Sequence, residues 1–315
     1  MNPIAVRLFL PDAENPYQRW QAAEARQLAR RLDLGLDVDF ADGDFAVQVR
    51  QIFKATRHDA APPQVVVVMP VQESALKSLS ESTVGLGIGW VYLNRSAGNI
   101  DVLKKTNAKV PTGLVSPDQY EIGRVQARQV RALFPEGAQI AYVQGRVTTS
   151  SAEARAAGLR DGLAERGPRV EILTTIDGNW TARDAEAGLT RWLQLMVPAR
   201  LRIDAVVCQS DFMALGAMEA LQGCATRLHN EALASLPVLG CDGLADVGRR
   251  LVDEGRLAAT VTVPTTADKA LEGIAAFHRY GTALPQETHL TPHGYPDEVA
   301  LGRRGRNWLS RPVLT

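Results

Sequence analysis

Val65-Val66-Val67-Val68-Met69 is an unbroken apolar, largely β-branched run that stops at Pro70. Such a run suits a strand covered on both faces, as in a parallel sheet flanked by helices. The same reading extends in both directions. Upstream, Ile4–Leu10 predicts a first strand, followed by the turn-like Pro11-Asp12-Ala13-Glu14-Asn15-Pro16. Tyr17–Leu32 has helical apolar spacing, Leu34–Phe40 alternates as a strand, and Phe45–Thr56 predicts a helix. Downstream, Ser74–Ser80 predicts a helix and Gly89–Leu93 a strand. The rhythm then restarts. Helices are predicted at Tyr120–Leu133, Ser151–Arg166, Ala182–Leu195 and Met213–Leu221, and strands at Ile140–Gln144, Val170–Ile176, Ala205–Gln209 and Pro237–Cys241. Strand–helix alternation of this kind implies a doubly wound parallel sheet, and two rounds imply two such sheets.

The chain has 315 residues, 45% apolar and 22% charged, a globular balance with room for two lobes. Lys plus Arg and Asp plus Glu are 35 each, so the net charge is zero. That argues against nucleic acid as a partner, since such binders carry a basic excess. Arg303, Arg304 and Arg306 form a short basic cluster that reads as a solvated C-terminal tail. No stretch reaches the ~18 apolar residues of a membrane span. The opening residues lack the pattern of a secretory signal. The expectation is a cytoplasmic protein if Met1 is the native start, and a periplasmic one if an export signal has been removed. Cys208, Cys224 and Cys241 fit no metal spacing and no disulfide framework, and Cys208 and Cys241 read as buried thiols.

Enzyme signatures are missing. Gly85-Leu86-Gly87-Ile88-Gly89 precedes a strand instead of following one, unlike a dinucleotide loop. There is no phosphate loop, no Gly-x-Ser-x-Gly elbow and no His-Glu-x-x-His. His58, His229, His278, His289 and His293 do not follow the predicted core strands. His289 and His293 have a spacing that could suit a metal, yet read as a polar surface loop. The sequence asks for no cofactor and no metal, and no catalytic residue is assigned.

Open parallel sheets bind ligands outside the carboxyl ends of their strands. The residues there are Asn15 and Tyr17, Pro70 to Glu73, Asn94 and Arg95, Asp118, Arg146 to Ser150, Asn179 and Trp180, Ser210 and Asp211, and Asp242. They are amides, carboxylates, arginines and aromatics.

In this order they carry a resemblance. Asn15-Pro16-Tyr17, Leu93-Asn94-Arg95, Asp118-Gln119-Tyr120-Glu121-Ile122-Gly123-Arg124, Ala152 to Leu159 with Arg155 and Gly158, Ser210-Asp211-Phe212-Met213-Ala214-Leu215-Gly216-Ala217, and Val238 to Gly243 resemble six motifs. These are motifs of the periplasmic ribose- and galactose-binding proteins and of the effector domains of lactose-repressor-type regulators. The resemblance covers residues 4 to about 280. It implies an α/β fold of two doubly wound parallel-sheet lobes, the type I periplasmic binding protein fold, joined by a three-crossing hinge. Strand order in each lobe is expected to be 2-1-3-4-5. The N-terminal lobe is expected to hold 1–113 plus 264–283, the C-terminal lobe 114–263 plus 284–315.

The implied function is non-enzymatic: binding of a small polar, sugar-like ligand in the interlobe cleft, with hinge closure, as the substrate-binding component of an ABC-type transporter. The partner is then a membrane permease. The alternative is a cytoplasmic ligand sensor without a DNA-binding domain, whose partner is a signalling protein. Expected absences are nucleic acid and direct membrane insertion; the expected state is a monomer or weak dimer. The departures from the family pattern lie in the pocket. Ser210 stands where Asn is usual, Gln119 where Asn is usual, and no Gln follows the strand Ala259–Val263. The tail from Pro285 to Thr315 has no counterpart.

A sugar presents neighbouring hydroxyls and an apolar C–H face. Planar Arg, Asp and Asn forks engage the former and aromatic rings cover the latter. The resemblance places Asn15, Asn94, Arg95, Arg155, Ser210 and Asp242 on the ligand, with Tyr17 and Trp180 as flanking rings. Asp242 reads alternatively as the cap of a helix starting at Leu244, and Arg155 as a surface residue. Asp118 reads equally as a cap, Asp211 as the cap of the helix from Phe212, and Trp20 as core packing.

Overall fold

The computed structural model describes residues 3–58, 61–197 and 202–309. In chain order the elements are β1 (Ile4–Leu10), α1 (Pro16–Leu32), β2 (Leu34–Phe40), α2 (Phe45–Arg57), β3 (Val65–Val68), a 3-10 turn over Ser74–Leu76 that runs into α3 (Lys77–Gly85), β4 (Gly89–Leu93), α4 (Ile100–Thr106) and β5 (Thr112–Pro117). There follow α5 (Gln119–Leu133), β6 (Ala138–Gln144), α6 (Ser150–Ala164), β7 (Val170–Asp177), α7 (Ala182–Met196), β8 (Ala205–Cys208), α8 (Asp211–Arg227), β9 (Val238–Leu239), α9 (Arg250–Asp253) and β10 (Thr260–Thr262). The chain ends with α10 (Thr266–Tyr280), β11 (Glu287–Leu290), β12 (His293–Tyr295) and α11 (Glu298–Leu309).

Two compact units result. One holds Met1–Pro117 and Pro264–Leu290, the other Asp118–Val263 and Thr291–Thr315. The first sheet runs β11-β5-β4-β3-β1-β2, and all of its pairings are parallel. The second runs β7-β6-β8-β9, and isolated bridges Leu239–Ala259 and Asp242–Thr262 set the β10 segment beside the β9 segment. Both follow the 2-1-3-4-5 order, so the switch points lie at the carboxyl ends of β1 and β3 and of β6 and β8. Val65–Val68 is buried throughout, with Val67 opposite Leu8 on one side and Val91 on the other. Phe9, Ile52, Val66, Val68, Trp90 and Leu103 share one core of the first unit. In the second, Leu189, Leu193, Met213 and Ala217 cover one sheet face. Val130, Leu133, Leu159 and Leu301 cover the other. No helix among the described residues is long and apolar enough to cross a membrane.

The boundaries differ from those expected. Thr112–Pro117 is buried at every position and forms a strand of the first sheet, although its Thr, Gly, Ser and Pro hide it from hydropathy. That moves the first crossing from 113 to 117. Glu287–Leu290 pairs with β5 in parallel, so residues 284–290 belong to the first unit and not the second. His289 and His293 are in strands rather than a surface loop, and they fall in different units. Trp20 is only half-buried, its ring tilted against Tyr17 at 5.9 Å, so it is not the core residue its spacing suggests.

The tail is folded as well. β12 pairs antiparallel with β10, Tyr295 donates its hydroxyl hydrogen to Asp253 at 2.7 Å, and Glu298 meets Arg128 at 3.0 Å. The basic cluster therefore sits on a helix rather than a tail; the side chains of Arg304 and Arg306, and residues 310–315, lie outside the described residues. Leu301 is fully buried in the second unit's core. Leu301→Ala is expected to cost about 2–4 kcal/mol in urea unfolding, the usual result of emptying a packed Leu site. A loss below about 0.5 kcal/mol would mean that the tail is not part of this core.

Candidate functional site

In the first unit the candidate residues stand beyond the ends of β1 and β4, the strands on either side of β3, and are all buried. Asn15 ends the loop after β1 and caps α1, its side-chain oxygen accepting from the Gln18 N–H at 3.3 Å. Asn94 follows β4 in a left-handed conformation (φ 64°). The Ser116 hydroxyl, which donates to its carbonyl at 2.9 Å, fixes the backbone there. Tyr17 and Asn94 belong to one hydrogen-bonded chain. The Gln21 amide donates to the Tyr17 hydroxyl at 2.7 Å and to the Thr266 hydroxyl at 3.2 Å. Thr266 in turn donates to the Asn94 side-chain oxygen at 2.7 Å. The Gln21 oxygen accepts from Thr265 and from the Ala267 N–H, tying α1 to the start of α10. Arg95 is anchored separately, donating from Nε to the Pro70 carbonyl at 2.8 Å.

In the second unit the sequence brings α5 and α6 unusually close. A Cβ on Gly123 would lie 2.0 Å from the Arg155 carbonyl oxygen, and one on Gly158 would lie 1.9 Å from that of Tyr120. This contact carries Arg155 under the strand ends. Its Nε donates to Gln119 Oε1 at 2.8 Å, and Nη1 donates to the Gln209 carbonyl and contacts Cys241 Sγ at 3.5 Å. The guanidinium lies 5.4 Å from the centre of the Trp180 ring, a cation–π distance. Arg155 is 4% exposed, so the surface reading is excluded.

Trp180 is held by an unusual turn. Asn179 (φ 49°) and Trp180 (φ 67°) are both left-handed, and the Thr181 N–H closes the turn on the Gly178 carbonyl at 2.8 Å. The indole lies across Gly145, where a Cβ would be 2.1 Å from Cε2. Of seven described non-glycine residues with positive φ, four are Asn94, Asn179, Trp180 and Asp242 (φ 112°). A bulky aromatic in this region costs free energy, and such strain gathers where function demands a geometry.

Ser210 caps α8, accepting from the Met213 N–H at 3.1 Å. The expectation that Asp211 caps this helix fails because Ser210 already occupies that position. The Asp211 carboxylate turns the other way, accepting from the Thr260 hydroxyl at 2.7 Å and the Gly243 N–H at 2.8 Å. It thereby holds the turn that presents Asp242. Asp242 makes no cap: Leu244 and Ala245 begin a short π-helical turn without any side-chain cap. Asp118 does cap α5, accepting from the Glu121 N–H at 2.9 Å.

Burial pushes the Asp211 carboxyl up to about 7, against its hydrogen bonds from Thr260 and Gly243. Asp242 is pushed well above the carboxylate range, first by burial and then by the Asp211 charge, while Arg155 pulls it down. Carboxyls raised by folding favour the folded state fully below their unfolded pKa of about 4, and that contribution disappears as pH climbs through the folded value. The unliganded chain should therefore lose stability from about pH 5 to about pH 8 through Asp211. Burial lowers the His278 pKa, which works in the opposite sense, so the decisive comparison is with Asp211→Asn. That variant is expected to flatten the descending slope in thermal unfolding; an unchanged slope would clear Asp211 of the role.

The structure thus links Tyr17 with Asn94 and Arg155 with Trp180, and the Arg155 charge acts on the Asp242 carboxyl. Gln21, Thr266 and Gln209, all fully buried, escaped the sequence reading. The one available signal was a glutamine at the end of an otherwise apolar strand, which must find partners.

The profile of the family described as periplasmic binding protein domain matches residues 4–270. A Rhizobium meliloti protein named for rhizopine binding is 28% identical over 211 residues, 66% of this chain and 64% of its own length. The xylitol-binding protein of Mycolicibacterium smegmatis is 25% identical, over 70% of this chain and 56% of its own. The chain thus aligns with less than two thirds of the length of either relative. A Caulobacter myo-inositol binding protein, solved with myo-inositol, superposes with a TM-score of 0.79 at 24% identity, covering 96% of this chain and 97% of that one. That likeness speaks for the fold: two lobes of the type I kind. With the family profile spanning β1 through β10 and every candidate residue described above, the chain belongs to the periplasmic binding protein domain family.

Proposed function

We propose that this protein binds a small polyhydroxylated ligand, a sugar or cyclitol, without chemical change, and hands it to a membrane permease as the binding component of an ABC-type transporter. The ligand is held by Asn15, Tyr17, Asn94 and Arg95 from one unit and Arg155, Trp180, Ser210 and Asp242 from the other. Closing of the units on the ligand supplies the signal read by the permease. The observation that carries this reading is the half-buried Trp180 indole over the buried Arg155 guanidinium, with the buried Asp242 carboxyl within the electrostatic reach of that cation. Together they offer a fork, a flat apolar face and an acceptor, the set a sugar needs. The names of the relatives point to the same class, since they refer to xylitol, ribose and allose. Ser210 accepts from the Met213 N–H of α8, and its hydroxyl offers the ligand a proton and a second lone pair. The proposed state is a monomer or weak dimer.

A thermal-shift series with myo-inositol, xylitol, D-ribose and D-allose tests this. A ligand at about 100 times its Kd stabilises the folded state by about 2.7 kcal/mol, so at least one of them should raise the midpoint by several degrees. No shift with any of them at millimolar concentration would remove the polyol class.

A further inference from the structure

We propose that Gln209 is a positioning residue for recognition: its one side-chain amide sets both the Arg155 fork and the Trp180 ring. In its binding arm this rests on the ligand reading above. Gln209 follows β8 and is fully buried. Its Nε2 donates to the Tyr142 hydroxyl at 2.6 Å and to the Ala152 carbonyl at 2.8 Å, and its Oε1 accepts from the Gly145 N–H at 2.8 Å. Both amide hydrogens and the oxygen are therefore engaged. Its main chain is fixed as well: the N–H donates to the Val143 carbonyl at 2.9 Å, and the carbonyl accepts from Arg155 Nη1.

Each partner bears on a ligand group. Ala152 lies one turn before Arg155 on α6, so the bond to its carbonyl fixes the start of the helix that carries the guanidinium. Gly145 is the residue across which the Trp180 indole lies, so the bond to its N–H fixes the floor of the ring. Tyr142 is buried in β6. Replacement by an apolar residue of similar size would take a hydrogen-bond partner from three buried groups at once.

The test uses the full chain in two arms. In the first, the 15N-labelled protein reports hydrogen exchange at Arg155 Nε, its resonance identified by Arg155→Lys. Gln209→Leu is expected to speed that exchange at least about tenfold more than exchange at the Val143 and Val207 amides, which report opening of the sheet. Gln209→Glu keeps an acceptor for Gly145 and should fall between, and it stands in should the leucine variant not fold. Equal acceleration at all these positions would overturn the proposal, leaving Gln209 as general support for the unit.

The second arm is a binding cycle with myo-inositol as the probe. Gln209→Leu should weaken binding about tenfold or more in the wild-type background, and less than about threefold once Arg155 is already alanine. Losses that simply multiply would overturn the proposal. If the wild-type chain does not bind myo-inositol, the ligand reading fails for that polyol, and the exchange arm still decides the role of Gln209.

Discussion

Arg155→Ala is expected to destabilise the second unit by about 3–5 kcal/mol, the cost of breaking a buried charge from its partners. The guanidinium satisfies Gln119 Oε1 and the Gln209 carbonyl and balances Asp242. Removing it takes a donor from two buried acceptors and a cation from beside Asp242. Asp242 should then take up a proton more readily, which limits the damage at low pH and enlarges it at high pH. Urea unfolding followed by far-ultraviolet circular dichroism, at about pH 5 and about pH 8, reads both effects. A loss below about 1 kcal/mol at either pH would mean that the arginine is solvated and adaptable, contrary to its 4% exposure.

Asp242→Asn is expected to separate binding from stability. The folded protein already holds this carboxyl in an environment that disfavours its charge, and the residue sits at φ 112°, where asparagine is no worse than aspartate. Unliganded stability near neutral pH should therefore change by less than about 1 kcal/mol, or rise. Ligand affinity should fall by roughly 1–3 kcal/mol, about fivefold to a hundredfold or more, because a fork that accepts from two hydroxyls becomes one that accepts from one. Calorimetry on the best ligand of the thermal-shift series checks this. Unchanged affinity would return Asp242 to a structural role, though not that of a helix cap.

The contrast between these two residues shows what was legible in the sequence. Strand and helix positions were readable wherever apolar runs were long, as at Val65–Val68, and the order of the strands followed from their alternation. β5 was missed, because Thr, Gly, Ser and Pro can be buried in a sheet without any hydropathic signature. β11 was missed because an edge strand with alternating exposure carries little apolar content. Candidate ligand residues could be named from motif resemblance, most of them in the loops and helix starts beyond strand ends. Their supports could not. Gln21 meets Thr266 across 245 positions and Gln209 meets Tyr142 across 67; no local pattern announces such partners. Asp211 was misread for a related reason: a carboxylate at a helix start is a cap by propensity, and only the fold reveals that Ser210 has taken that place.

We propose that Asn94 and Asp242 serve the same ligand. It is tested most directly by titration calorimetry of the wild-type chain and of Asn94→Ala and Asp242→Asn, each from a different unit, with myo-inositol, xylitol, D-ribose and D-allose. The expected result is one ligand per chain, recovered unchanged, with both variants losing affinity for the same compound. Binding that survives intact in either variant, or a ligand that returns chemically altered, would contradict it.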